Sequence, residues 1–360
     1  MDLINTIFDN VTFLIFSSIL FSFLITFVSI PTIVAVAKAK HLVDEPNGRT
    51  SHNKSIPTLG GVAIFAGILI SLLIFINLQS FPSIQYITPG LLILFFIGLK
   101  DDILSISWKK KLIGQIAAAL IVIPLGDIRI TNLHGFFGIY DIDYVFSIFL
   151  SLFIFIVIIN CFNLIDGIDG LSAGIGIIAS IVLGVWFFLI NNNQYFILSF
   201  GITGSLLAYF YFNVFSKKNK IFMGDTGSLI IGFLMAVLII EFNEYNIGLE
   251  SIYTIKAAPA VSIGILFVPL FDTLRVFIIR ISRKKSPFYP DREHVHHRLL
   301  KLGNTHFQAT LVLMGINILF IVIVFLLQDI GILKLTFIIL VLGIFLSYIP
   351  VFLIKRKKSI

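Results

Sequence analysis

An all-α, polytopic membrane protein of about eleven transmembrane helices is the fold this chain predicts, and three observations carry that prediction. Apolar residues fill 58% of the 360 positions and charged residues only 12%, with a mean hydropathy of +1.03. A soluble domain cannot hide so much apolar surface. The apolar residues also gather into runs of bilayer length. Finally, the charges sit in short segments between the runs, so the net charge of +7 reads as membrane topology rather than a nucleic-acid surface.

The runs lie at about 11–37, 56–77, 83–99, 112–126, 144–163, 171–190, 195–213, 228–241, 257–281, 308–327 and 332–354, each read as a span from its length and composition. The first follows Met1-Asp2-Leu3-Ile4-Asn5, which has no basic n-region or cleavage site, and reads as a retained helix. The second is entered through Ser55-Ile-Pro-Thr-Leu-Gly-Gly61, where Pro57 sets a rigid turn and the paired glycines permit close packing. The third closes on Lys100-Asp101-Asp102, and the fourth, a short one, follows Lys109 to Lys111. Between the fifth and sixth lies a polar knot, Asn163 to Gly170; the seventh ends at Asn213. A loop, Phe222 to Ser228, opens the short eighth, and a basic, histidine-bearing loop separates the ninth from the tenth. Cys161 is the sole cysteine and is expected to be a packing residue. With no internal repeat or linker, residues 1–360 read as one integral domain.

Lysine and arginine set the orientation. Alternate connections carry Lys38, Lys40, Arg49 and Lys54; Lys100 and Lys109 to Lys111; Lys217, Lys218 and Lys220; Arg280 to Lys301; and the tail Lys355 to Lys358. The intervening ones hold only Arg129, Lys256 and Lys334. The positive-inside rule then places the C-terminus in the cytoplasm and the N-terminus outside.

The polar motifs all fall on the expected cytoplasmic side: Asp44-Glu-Pro-Asn-Gly-Arg49, Asp101-Asp102, the knot, Gly224-Asp-Thr-Gly-Ser228 and His294-Val-His-His297. Loops at about 38–55, 100–111, 163–170, 214–228 and 282–307 are thus expected to form one composite site. Asp166 and Asp169 are the only charged residues between Asp143 and Lys217. A carboxylate near hydrocarbon costs roughly 2.5–3.5 kcal/mol on insertion scales, so such residues usually serve chemistry or transport. A bare turn needs one Asp and one Gly, whereas the knot repeats the pair and adds Asn160 and Asn163. Asp101 and Asp102 repel one another unless a cation compensates, although an ordinary helix end explains them equally well. Asp225 opens a helix whose free N–H groups suit phosphate, and carboxylates together with phosphate suit Mg²⁺; a plain N-cap is the competing account. The histidines lack zinc-site spacing. Among Arg280, Arg283, Lys284, Lys285, Arg292 and Arg298 they suit a diphosphate or sugar better.

In order and spacing these motifs resemble the polyprenyl-phosphate N-acetylhexosamine-1-phosphate transferases, glycosyltransferase family 4. The matching pieces are Asp44…Arg49…Pro57-Thr-Leu-Gly-Gly61, Asp101-Asp102, Asn163 to Gly170, Phe222-Met-Gly-Asp225 and His294-Val-His-His297. The resemblance implies transfer of a sugar 1-phosphate from a UDP-sugar to undecaprenyl phosphate, with Mg²⁺ and release of UMP, at the start of cell-surface polysaccharide synthesis. It implies a bacterial inner-membrane protein whose site faces the cytoplasm. The His-x-His-His form and eleven spans look like the UDP-N-acetylglucosamine branch; another UDP-N-acetyl sugar or UDP-MurNAc-pentapeptide is the alternative. By carry-over Asp225 would ligate Mg²⁺, and Asp101 and Asp102 would lie at the lipid phosphate. Asp166, Asp169 and Asn163 would shape the metal and nucleotide end. Phe222 would stack on uracil, Asn213 would reach the nucleotide, Thr58 would contact substrate, and His294, His296, His297 and Arg280 would meet the sugar or diphosphate. A homodimer is left open.

Two rival classes share buried carboxylates. An intramembrane aspartyl protease would show Gly-x-Gly-Asp, but Phe222 stands at the first position before Met223-Gly224-Asp225. An ion-coupled transporter would hold its carboxylates near the midplane of the spans.

Overall fold

A computed structural model describes residues 11–44, 55–77, 79, 81–284 and 294–358. It is a helical bundle: α1 Val11–Ala39, α2 Gly60–Phe75, α3 Ile84–Leu104, α4 Trp108–Gly126, α5 Tyr144–Ile165, α6 Leu171–Leu189, α7 Asn193–Phe210, α8 Gly224–Tyr245, α9 Ala258–Ile265, α10 Phe267–Ser282, α11 Val295–Lys301, α12 His306–Leu326 and α13 Ile332–Lys358. Two short antiparallel pairs join it. In one, β1 (Val43–Asp44) meets β2 (Ile56–Pro57); in the other, β3 (Asn132–Phe136) meets β4 (Ile139–Asp141). The second pair turns through Gly135, Phe137 and Gly138, all at positive φ, a local hairpin that hydropathy does not register.

Among the described residues seven helices are long and apolar enough to cross a membrane, or eight if a bent pair counts as one span: α1, α5, α6, α7 with its π-helical extension Tyr211–Phe215, α8, α12 and α13. The ninth run, expected as one span over 257–281, breaks between α9 and α10 with a bend of 83°. Leu266 links the halves at φ −105° and ψ 31°. Pro269 falls in the first turn of α10, where its missing N–H leaves no hydrogen bond unmade. α2 is shorter, at 16 residues. The eighth run, expected over 228–241, is longer than its apolar stretch and already helical at Gly224.

That eighth helix, α8, is the axis of the bundle. It packs against α2, α3, α5, α6, α7 and α9, and 94% of its apolar window is buried, against 17% for α13. A helix apolar on every side and enclosed on every side is a core element. Its first turn consequently lies where α2, α3 and α5 converge, and the polar motifs meet there.

Candidate active site

The site is built on a crossing of two glycine-bearing segments. Phe222 N–H donates to the Pro57 carbonyl at 2.8 Å, Gly60 N–H to the Phe222 carbonyl at 2.9 Å, and Gly61 N–H to the Met223 carbonyl at 2.8 Å. Gly61 then packs directly on the backbone of Gly227, an approach that any Cβ would prevent. Gly224 has φ +70°, and a Cβ there would run into the Thr58 carbonyl and lie 2.6 Å from both Asp102 oxygens. Only glycine fits both the conformation and the space. The knot is tied in by Asn213, which accepts from Gly170 N–H at 2.6 Å and donates to the Ile221 carbonyl at 2.8 Å.

On this frame the aspartates take distinct positions. Asp102 accepts three hydrogen bonds from the start of α8: Asp225 N–H at 2.7 Å, Thr226 N–H at 3.1 Å and Thr226 Oγ1 at 2.6 Å. It caps α8 from another helix, satisfying orphan N–H groups and facing the positive end of the helix dipole. Asp101 accepts from Ile106 N–H at 2.6 Å and pairs with Lys111 at 2.7 Å. The same Lys111 Nζ lies 2.8 Å from Asp225 Oδ2, so one ammonium holds two carboxylates. Asn163 donates to Asp225 Oδ1 and, at 2.9 Å, to Ser228 Oγ. Asp169 pairs with Lys220 at 2.5 Å, has His306 at 3.7 Å, and accepts at its carbonyl from Thr310 at 2.7 Å.

Asp166 differs from the rest. Burial pushes its carboxyl well above the usual carboxylate range, and the charges of Asp225, Asp102 and Asp169 push it further. Unlike Asp101 and Asp169, it has no lysine paired with it among the described residues. Among the described residues no three His, Cys, Asp or Glu side chains close on one point. The donor chemistry still fits a hard cation: like-charged carboxylates, Asp225 and Asp166, whose repulsion a divalent ion would relieve. Mg²⁺ commonly takes one or two carboxylates and completes its shell with water and phosphate oxygens.

The histidines form the opposite wall. Asp272, buried in α10, faces His294 Nδ1 at 2.9 Å and accepts from Val295 N–H at 3.0 Å and Arg275 Nη2 at 2.9 Å. His294 and His296 rings lie 5.5 Å apart and nearly parallel, with His297 4.3 Å from His296. His296 is 2% exposed, and neither ring nitrogen has a hydrogen-bond partner. Burial, then the neighbouring His297, lowers it to about 3, so this ring is neutral. It rests on the knot: a Cβ on Gly167 would lie 2.8 Å from its Nε2. A buried imidazole with both nitrogens unmet is costly unless a ligand completes it. Arg280 is also buried. Beneath this wall an apolar cleft runs between Ile165, Phe267, Phe271, Leu313 and Leu346, with Asp272 and Val295 also lining it.

Of the residues expected from sequence, Asp101, Asp102, Asn163, Asp166 and Asp225 converge at the head of α8, and His296 touches the same knot. Asp169 sits on the knot's far side with Lys220. Asn213, expected to reach the nucleotide, has both amide atoms engaged by backbone and is a brace. Thr58 presents its carbonyl to Gly224, and Phe222 is half-buried beside the Asp225 turn. Of the Asp44…Arg49 piece, Glu45 to Arg49 lie outside the described residues, as do Lys54, Lys285 and Arg292. Two residues escaped the sequence reading. Lys111 read only as a topology signal, and Asp272 was a lone carboxylate inside an apolar run, which is itself a signal.

The family description "Glycosyl transferase family 4" matches residues 84–243. The chain is 32% identical over 277 residues to the undecaprenyl-phosphate alpha-N-acetylglucosaminyl 1-phosphate transferase of Escherichia coli (strain K12), covering 76% of this chain and 73% of the relative. It is 31% identical over 335 residues, 91% and 89% of the two chains, to a Bacillus subtilis (strain 168) protein named "Probable undecaprenyl-phosphate N-acetylglucosaminyl 1-phosphate transferase". The Salmonella typhi enzyme named as that of Escherichia coli is 30% identical over 296 residues, 81% and 78%.

Proposed function

The chain belongs to glycosyl transferase family 4, and we propose that it transfers N-acetylglucosamine 1-phosphate from UDP-N-acetylglucosamine to undecaprenyl phosphate, releasing UMP. The observation that carries the reading is the meeting of Asp225, Asp166 and Asn163 with the unsatisfied His296 around one knot. These polar groups gather at a helix end, where a diphosphate bound to a hard cation would be held. A carboxylate pair serving an ion-coupled transporter belongs near the middle of the spans, whereas these sit at helix termini.

In this reading an oxygen of the lipid phosphate attacks the β-phosphorus of the UDP-sugar. The bond from that phosphorus to the bridging oxygen breaks, and the oxygen leaves with UMP. A phosphate monoester is largely ionised at neutral pH, with a second pKa of about 6, so no strong general base is required. The obstacle is repulsion between two anions. Mg²⁺, held by Asp225 and Asp166, would supply the charge that offsets it.

The chain's own residues do the rest. Asp102 fixes the head of α8 and thereby the direction of Asp225. Lys111, resting between Asp101 and Asp225, is a cation placed to meet the incoming phosphates, and Asp101 holds it there. Asn163 orients Asp225, while Asn213 and Asp169 keep the knot in register. Phe222 offers a ring to uracil. His294, His296, His297 and Arg280 contact sugar and diphosphate, and the apolar cleft takes the first part of the prenyl chain. The site faces the cytoplasm of a bacterial inner membrane, a reading the lysine and arginine distribution supports, with some eleven helical segments counted as spans.

Purified protein given UDP-N-acetylglucosamine, undecaprenyl phosphate and Mg²⁺ should release UMP and form the lipid-linked sugar. Competition among UDP-N-acetylglucosamine, UDP-N-acetylgalactosamine and UDP-MurNAc-pentapeptide should leave the first preferred. Consumption of the pentapeptide donor alone would overturn the donor assignment, and no UMP from any donor would overturn the reaction.

A further inference from the structure

We propose that Asp272 is a positioning residue of this reaction, one that acts through His294. The inference rests on the transfer reading above and adds a residue to it. Asp272 is 4% exposed and His294 5%, and they meet at 2.9 Å through His294 Nδ1. A carboxylate on one ring nitrogen sets the tautomer and the plane of an imidazole. With Nδ1 committed to Asp272, Nε2 is the nitrogen through which His294 acts on another group.

The same carboxylate does a second thing. Its Oδ1 accepts from Val295 N–H, the first residue of α11, at 3.0 Å and from Arg275 at 2.9 Å. Asp272 thus pins the start of the short helix that also carries His296 and His297, and Arg275 balances the charge within the pair's own helix. Because Asp272 lines the apolar cleft together with Val295, it joins the wall expected to guide the lipid chain to the wall that bears the histidines. A buried carboxylate needs such partners. What exceeds structural need is that one oxygen is given to an imidazole of the candidate site.

The test is a double-mutant cycle on UMP release, with Asp272→Asn, His294→Gln and the pair made in the full chain. Asp272→Asn should lower kcat on the order of 10- to 100-fold, the range seen when an outer partner of a working histidine is removed. The donor KM should stay within about threefold, and the double variant should be no slower than His294→Gln alone. Fully additive losses, or near-normal kcat in a folded Asp272→Asn protein, would overturn the proposal. If Asp272→Asn does not accumulate, Asp272→Glu answers the same question: it keeps the charge facing Arg275 but displaces the carboxylate from Nδ1. A loss in Asp272→Glu that vanishes in the His294→Gln background supports the proposal; normal kcat, or an equal loss in both backgrounds, overturns it. Wild-type protein that releases no UMP would instead strike the transfer reading itself.

Discussion

At one end of α8, Asp225 lies among Asp101, Asp102 and Asp166; at the other, Asn243 and Glu244 lie against the β3–β4 hairpin. Both ends bury polar side chains in an apolar bundle. At the hairpin end Glu244 accepts from Thr131 N–H at 2.8 Å and Thr131 Oγ1 at 2.6 Å. Asn243 donates to Ser262 at 2.8 Å, and Asn246 accepts from Ile255 N–H at 2.7 Å. Most of that polarity is used inside the protein, stitching a loop to a helix, and only Asn243 Oδ1 among these atoms lacks a partner. At the Asp225 end, like charges are pressed together and Asp166 is left with three carboxylates acting on it. Buried polarity alone therefore does not mark a site. Like charges gathered at one point, beside an imidazole with neither nitrogen met, do.

Four substitutions test that contrast. Asp225→Asn should cost the most, on the order of 10³-fold in turnover, as expected for removing a principal electrostatic contact, with thermal stability close to wild type. Activity within tenfold of wild type would end the metal assignment. Lys111→Met should lower kcat on the order of 10²-fold and, by removing a competing cation from Asp225, tighten Mn²⁺ binding measured by electron paramagnetic resonance without nucleotide. Unchanged or weaker Mn²⁺ binding would show that Lys111 and the metal do not compete.

Asp166→Asn should raise the melting temperature at neutral pH while lowering turnover on the order of 10²-fold. Asp166 ionises near 3.8 when unfolded and well above that when folded. The native state therefore binds more protons between the two values, and stability falls as pH rises through that window. The gain from asparagine should accordingly disappear below about pH 4; a gain that persists in acid would point elsewhere. Smallest in function is Glu244→Gln, which should cost about 1 kcal/mol of stability and leave kcat within about twofold. A large loss of turnover there would erase the distinction between the two ends.

The head of α8 was legible in the sequence because its parts are chemically odd where they stand: aspartates with glycines between apolar runs, and histidines amid arginines. Hydropathy also found the helical segments, since bilayer-length runs are a one-dimensional signal. It could not see that Leu266 turns a run by 83°, because a bend depends on backbone angles; Gly264 and Pro269 beside it were the trace. Lys111 was hidden by its neighbours, Lys109 and Lys110, which look alike until folding points one of the three at Asp101 and Asp225. At Asn213 and Asp102 the sequence shows that a polar group is present but not which backbone N–H donates to it.

The crossing of residues 57–61 over 222–227 also bears on how the protein is made. Its two halves are some 165 positions apart in the chain. At about 5–20 residues per second of synthesis, the first half waits roughly ten to thirty seconds for the second. Throughout that interval Gly60 and Gly61 lack the backbone they are shaped to meet, and the face of α2 that α8 will cover must rest against lipid or an insertion chaperone. Transfer chemistry therefore begins late in biogenesis: no partly inserted chain that stops short of α8 has a head of α8 to work with.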